Sequence, residues 1–196
     1  MRDDFFSYMQ HGMYHVLNVN AYDHILFLIV LAIPYMFKDW KRLLFLITVF
    51  VIGHTISLAF ATYDVISVSN KWIEFLIPST ILVVALFNIF TVGKKTKNEK
   101  VGLLFFLTLF FGLIHGLGFV KIFETTINAS SNKVLSILEI ALGVEIGQLI
   151  VVFVILFLGF LCETLFRFSK RDWVMVISAV VVGLVVPMLI KSNIFA

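Results

Sequence analysis

Six apolar runs separated by charged breaks dominate this chain: Asp23 to Phe37, Leu43 to Thr62, Trp72 to Thr91, Val101 to Val120, Val134 to Leu161 and Trp173 to Ile190. A helix needs about 20 apolar residues to cross the hydrocarbon core of a bilayer. The 196 residues therefore have room for about six such helices and little else. The first run is short, so its helix is expected to begin upstream of Asp23. Only 14% of the residues are charged, against roughly 25% in a soluble domain. The expected fold is all-α: one polytopic membrane domain over residues 1–196, a bundle of six transmembrane helices. No soluble domain stands out, nor does the inverted repeat of many secondary transporters. The single cysteine, Cys162, excludes an intrachain disulfide and a thiolate metal cluster. The first residues lack the basic stretch of a cleavable signal peptide, so the first spanning helix is expected to direct its own insertion.

Basic residues set the expected orientation. The segments after the first, third and fifth runs hold Lys38, Lys41, Arg42, Lys94, Lys95, Lys97, Lys100, Arg167, Lys170 and Arg171. The other side holds Arg2, Lys71, Lys121, Lys133 and Lys191. By the positive-inside rule, both termini face outward from a bacterial-type inner or plasma membrane. The net charge of +3 belongs to this bias and not to nucleic-acid binding.

Against this apolar background the ionisable residues stand out, because a charge within a membrane span is costly and usually serves function. His24, His54 and His115 fall on three different runs, and Glu145 on a fourth. At ~1.5 Å rise per residue, these residues and Glu74 all lie roughly 0 to 17 Å below the outer surface. That shared depth points to one site open to the outside. Histidine with carboxylate, contributed by several helices, is the composition of a metal site. Asp23 is either a ligand beside His24, the acceptor that orients an imidazole, or a helix cap. His15 stands four residues after His11, a spacing that fits a two-histidine arm or an amphipathic helix on the membrane surface. His11 fits the surface helix better. Ser57, at i+3 from His54, and Gln148, at i+3 from Glu145, are candidates to support the ligands. Glu74 opens its helix near the interface, where a carboxylate is easily solvated. Gly112 with Gly116, and Gly143 with Gly147, are small-xxx-small pairs around His115 and Glu145, suited to close helix packing. Lys121 and Glu124 read as loop charges. Cys162 and Glu163 lie away from the cluster, and the 22 phenylalanines read as packing and lipid-facing surface.

These segments, in order, resemble the HupE/UreJ family of small integral membrane proteins. The resemblance rests on His15, Asp23-His24 with Leu26-Phe27, and Gly53-His54-Thr55-Ile56-Ser57-Leu58. It continues through Glu74, Phe111 to Phe119, and Gly143 to Leu149. Family members accompany hydrogenase and urease systems and are regarded as nickel or cobalt permeases. The resemblance implies a divalent-metal permease with an outward-facing histidine–carboxylate site. The residues themselves leave two alternatives open. One is a membrane-embedded metal-dependent hydrolase acting at the outer leaflet, with Glu145 as ligand or base. The other is a passive scaffold with a closed metal shell. Nickel, cobalt, zinc and copper all suit such ligands. The expected partners are the lipid bilayer and a metal ion, with a homo-oligomer left open. Toward the inner side, Thr48, Asn88 and Thr108 are the modest polar candidates for a path.

Overall fold

The computed structural model describes residues 2–19, 22–93, 100–128 and 132–192. Its elements are α1 (Arg2–Leu17), α2 (Asp23–Ala32), a short 3-10 turn (Phe37–Asp39), α3 (Trp40–Thr62), α4 (Asn70–Thr91), α5 (Lys100–Asn128), α6 (Lys133–Thr164) and α7 (Lys170–Lys191). Among the described residues no strand occurs. Lys94, Lys95 and Lys97 lie outside the described residues, as do the side chains of Lys100, Lys121 and Glu124. Positions 121 and 124 belong to α5 and not to a loop.

Among the described residues, four helical stretches are long and apolar enough to cross a membrane: Phe37–Thr62, Asn70–Thr91, Lys133–Thr164 and Lys170–Lys191. Asp23–Ala32 and, within α5, Phe105–Phe119 are shorter apolar pieces. A protein of the membrane follows from these helices, and large apolar side chains such as Phe45, Phe106, Phe110 and Phe153 face outward, as contact with lipid requires.

The expected first span, residues 23–37, ends as a helix at Ala32. Pro34 is the cause. It has no N–H to donate to the carbonyl four residues back, which is that of Val30. Asn88 on α4 supplies the missing donor: its Nδ2 donates to the Val30 carbonyl at 2.6 Å. Upstream, residues 2–17 form a further helix that does not stand alone as a surface helix. Gly12 rests on the Ile140 carbonyl and Gly143 on the Met9 carbonyl, with no room between for a Cβ. Gly147 abuts Met13 and Val16. Higher numbers on α1 thus meet higher numbers on α6, so the two helices run parallel.

The ends of α3 and α7 and the starts of α4 and α6 lie at one end of the bundle; Lys133 reaches over the Tyr63 ring there. From that end α1 descends beside α6. After a break, α2 continues in the same direction and finishes near Arg42 and Lys170 at the other end. Neither piece has the ~20 residues of a spanning helix. The chain up to Ala32 therefore holds two short helices, interrupted between Leu17 and Asp23, and not one helix that begins upstream of Asp23. Side chains at two other helix starts cap their backbones: Asn132 Oδ1 accepts from Leu135 N, and Ser169 Oγ from Asp172 N, both at 3.2 Å.

A candidate metal centre at the helix break

The break brings His15, at the end of α1, against His24, at the start of α2; their ring centroids are 4.7 Å apart. His115 of α5 stands 5.3 Å from His24, and His54 of α3 stands 6.0 Å from it. Four histidines from four helices thus surround the ring of His24 or supply it. His24, His54 and His115 are buried, and His15 is half-buried.

Glycines make this approach possible. Gly112 lies against the Phe50 carbonyl, Gly53 against the Leu109 carbonyl and Gly116 against the His54 carbonyl. Backbone meets backbone along the α3–α5 seam, and short imidazoles on opposite helices come within reach of each other. The pairs Gly112–Gly116 and Gly143–Gly147 therefore do serve close packing, but with different partners. The first pair seats α5 on α3, and the second seats α6 on α1. They do not join α5 to α6.

That difference decides where Glu145 goes. With its glycines turned to α1, Glu145 is half-buried and accepts a hydrogen bond from Thr48 Oγ1 of α3 at 2.8 Å. It is not among the residues lining the histidine cavity. The expected gathering of Glu145 with the three histidines is not what the helix packing produces. Asp23 takes the place of the near carboxylate. Its Oδ1 accepts from the His24 backbone N–H at 2.8 Å and lies 3.2 Å from His24 Nδ1. Of the three readings of Asp23, the geometry carries the imidazole-orienting acceptor; the N-cap position is held by Tyr22, and Asp23 is the first residue of α2, where its Oδ1 takes the His24 N–H.

Hydrogen bonding also assigns the tautomers. A carboxylate accepts only, so the proton of His24 sits on Nδ1. His115 Nδ1 lies 2.9 Å from the Phe111 carbonyl, another pure acceptor, and is protonated likewise. Each ring then carries its lone pair on Nε2. The Nε2 atoms of His24, His54 and His115 are buried, and none has a hydrogen-bond partner among the described residues. A buried polar atom without a partner costs about 1–3 kcal/mol, so three in one cluster need a reason. Ligand geometry is not already complete: among the described residues no three His, Cys, Asp or Glu side chains stand ready-made around an ion.

One side of the cluster opens on a cavity of about 380 Å3. Asp23, His24, His15 and His115 form its floor, and Glu74 of α4 and Lys191 of α7 stand at its exposed rim. Aromatic rings pack against the cluster, and one of them, Phe119, also lines the cavity. Phe119 lies 4.2 Å from His15 and 5.0 Å from His54, and Phe27 and Phe50 each lie 5.2 Å from His115. These phenylalanines were not expected at a site. Their signal was local: Phe27 follows His24 by three residues, Phe50 precedes His54 by four, and Phe119 follows His115 by four, each one helical turn away. Met188 and Ser192 of α7 also line the cavity, and no polar pattern in the sequence marked them.

The supporting residues divide. Glu74 borders the cavity. Ser57 does not reach the His54 ring: its Oγ donates to the His54 carbonyl at 3.1 Å and occupies the space a Gly116 side chain would need. Gln148 is buried on α6, and neither amide atom has a hydrogen-bond partner among the described residues. His11 lies outside the cluster, its Nδ1 2.6 Å from the Ser7 carbonyl. Cys162 is a free thiol on the part of α6 remote from the cavity.

No curated protein and no solved structure matches this chain. The sequence model of one family, described as HupE / UreJ protein, matches residues 1–192 and so takes in the helix break, the histidine cluster and the cavity above it. The chain belongs to the HupE/UreJ family.

Proposed function

We propose that this protein is a divalent transition-metal permease of the nickel or cobalt type, and that the histidine cluster is its capture site. The single observation that carries the reading is the set of three buried Nε2 atoms, on His24, His54 and His115, without hydrogen-bond partners among the described residues. Neutral imidazole nitrogen is a preferred donor for nickel, cobalt, zinc and copper. Zinc-type N ligands sit at ~2.0–2.1 Å from the ion, and among the described residues no three side chains are already so placed, so the rings must turn their Nε2 atoms onto the ion. Residues at a helix break are suited to that adjustment, since the two half-helices move with less constraint than one continuous ladder. His15 and Asp23 flank the break and complete the ligand set; Asp23 also offsets the incoming charge.

The basic-residue bias turns the cavity mouth outward. The carboxylates of Glu74 at the rim and Asp23 on the floor attract a cation from that side, and the phenylalanine wall keeps water from following it. The metal is cargo in this reading: it is captured, stripped of part of its water and passed on.

Uptake of nickel or cobalt by proteoliposomes is the test. Wild-type protein should raise the initial uptake rate well above protein-free liposomes while binding the ion in detergent. Stoichiometric binding with no flux would defeat the permease and favour the metal-dependent hydrolase.

A further inference from the structure

Three of the helices that line the histidine cavity, α2, α4 and α7, also line another. A second cavity, of about 450 Å3, opens at the opposite end of the bundle between α2 (Val30, Leu31), α4 (Asn88, Thr91) and α7 (Lys170, Val174). One stripe of each helix runs from one cavity to the other. On α7, Val174 lines the second cavity and Met188 and Ser192 line the first. Ser178, Val181 and Val185 lie between them at helical spacing, fully buried. On α4, Ile77 and Pro78 line the first cavity and Val84 and Asn88 the second, with Ile81 and Ala85 buried in between. On α2 the stripe passes from His24 through Phe27 to Leu31. At ~1.5 Å per residue, the interval from Pro78 to Val84 is only about 9 Å of packed side chains.

Two independent features mark this seam. The chain has three prolines, and each falls in or at the end of a different seam helix: Pro34 after α2, Pro78 in α4, Pro187 in α7. Each leaves a carbonyl four residues back without its helical donor, those of Val30, Glu74 and Gly183. Interrupted ladders at membrane depth are tolerated where backbone lines a path or a cavity. The second feature is Ser178. Hydroxyls on helices ordinarily bond back to their own turn, as Thr55, Thr62, Ser79 and Thr91 do here. The Ser178 hydroxyl is wholly buried and has no hydrogen-bond partner among the described residues.

We infer that the ion crosses the bundle along this α2–α4–α7 seam. It leaves the histidine cavity through the closed gate of Ile81, Val181 and Val185, passes Ser178, and is released in the second cavity. The inference rests on the permease reading. Among the described residues the second cavity has no Asp or Glu on its wall, but it has Arg42, Lys170 and Arg171. Such a wall repels a divalent cation, which makes it a place of release and not of second capture. The polar candidates on other helices, Thr48 and Thr108, lie off this route; Thr48 is engaged with Glu145.

The experiment measures cobalt uptake into proteoliposomes and cobalt bound in detergent for Ser178→Leu and, as the off-route control, Thr108→Val. The leucine should cut uptake at least about tenfold while bound cobalt stays at the wild-type level, and Thr108→Val should leave both unchanged. A second variant guards against misfolding: Ser178→Cys in a Cys162→Ser background, nearly equal in volume, should transport until a small methanethiosulfonate reagent stops it. Uptake by Ser178→Leu at the wild-type rate, or by the modified cysteine without inhibition, overturns the seam and leaves the capture site standing. Loss of uptake in Thr108→Val with bound cobalt intact overturns it in favour of an α5 route. Absence of flux in the wild type overturns the permease and the seam together.

Discussion

Purified His115→Ala protein should hold essentially no nickel or cobalt, while His11→Ala and Glu145→Gln should keep the wild-type stoichiometry. His115 is the ring most fixed in place. Its Nδ1 donates to the Phe111 carbonyl, Gly112 and Gly116 on either side lock its helix to α3, and Phe27 and Phe50 pack on its face. Removing it deletes a preoriented Nε2 donor that no neighbour can replace. Loss of a group that merely orients a ligand costs about 10–100-fold in affinity, so loss of a ligand should exceed about a hundredfold. His11 is bound to its own helix and exposed. Glu145 is engaged with Thr48, so its neutral amide should leave the ion in place. Metal analysis after size-exclusion chromatography reads all three variants. Metal retained by His115→Ala, or lost from Glu145→Gln, would mean that the ligand set is misplaced.

Gly116→Ala should damage both stability and binding, and Gly183→Ala should damage neither. A Cβ at 116 would overlap the His54 carbonyl and the Ser57 hydroxyl. The obstacle is largely backbone, so α3 and α5 must separate. Overpacking of this kind costs about 1–3 kcal/mol, and the separation carries His54 away from His115. At Gly183 a Cβ would meet nothing within 4 Å. Replacing glycine inside a helix there should be neutral or stabilise by roughly 0.5–1 kcal/mol. Thermal melting in detergent, with and without cobalt, separates the effects. Gly116→Ala should melt lower and lose most of its cobalt-induced upward shift; Gly183→Ala should melt no lower than wild type and keep it. Equal behaviour of the two glycines would show that the α3–α5 contact does not set the site.

Much of this arrangement was legible before any coordinates. Long apolar runs announced helices because their length and lack of charge admit little else. The common depth of His24, His54 and His115 pointed to one place, and the rings do meet there. Glu145 misled because depth is only one coordinate: a residue at the right level still has to face the right neighbour. The Gly143–Gly147 pair announced a close partner without saying which helix it was, and the partner was α1. The first span misled in a similar way. Residues 2–17 carry too many polar groups to be read as membrane-spanning by hydropathy, yet they pack lengthwise on α6. The expected run passed through Pro34 to Phe37, although a proline ends a helical ladder; that the orphaned Val30 carbonyl is taken by Asn88, 58 residues away, is tertiary information. The phenylalanine wall was hidden by abundance, since with 22 phenylalanines in the chain three at a site do not stand out until their spacing from each histidine is counted.

The most direct measurement is X-ray absorption at the metal edge of purified protein loaded with nickel or cobalt. The histidine capture site predicts a first shell with at least three nitrogen donors at about 2.0–2.1 Å and the multiple-scattering signature of imidazole rings, reduced in His54→Ala. A shell of oxygen alone, with no imidazole scattering, would contradict it.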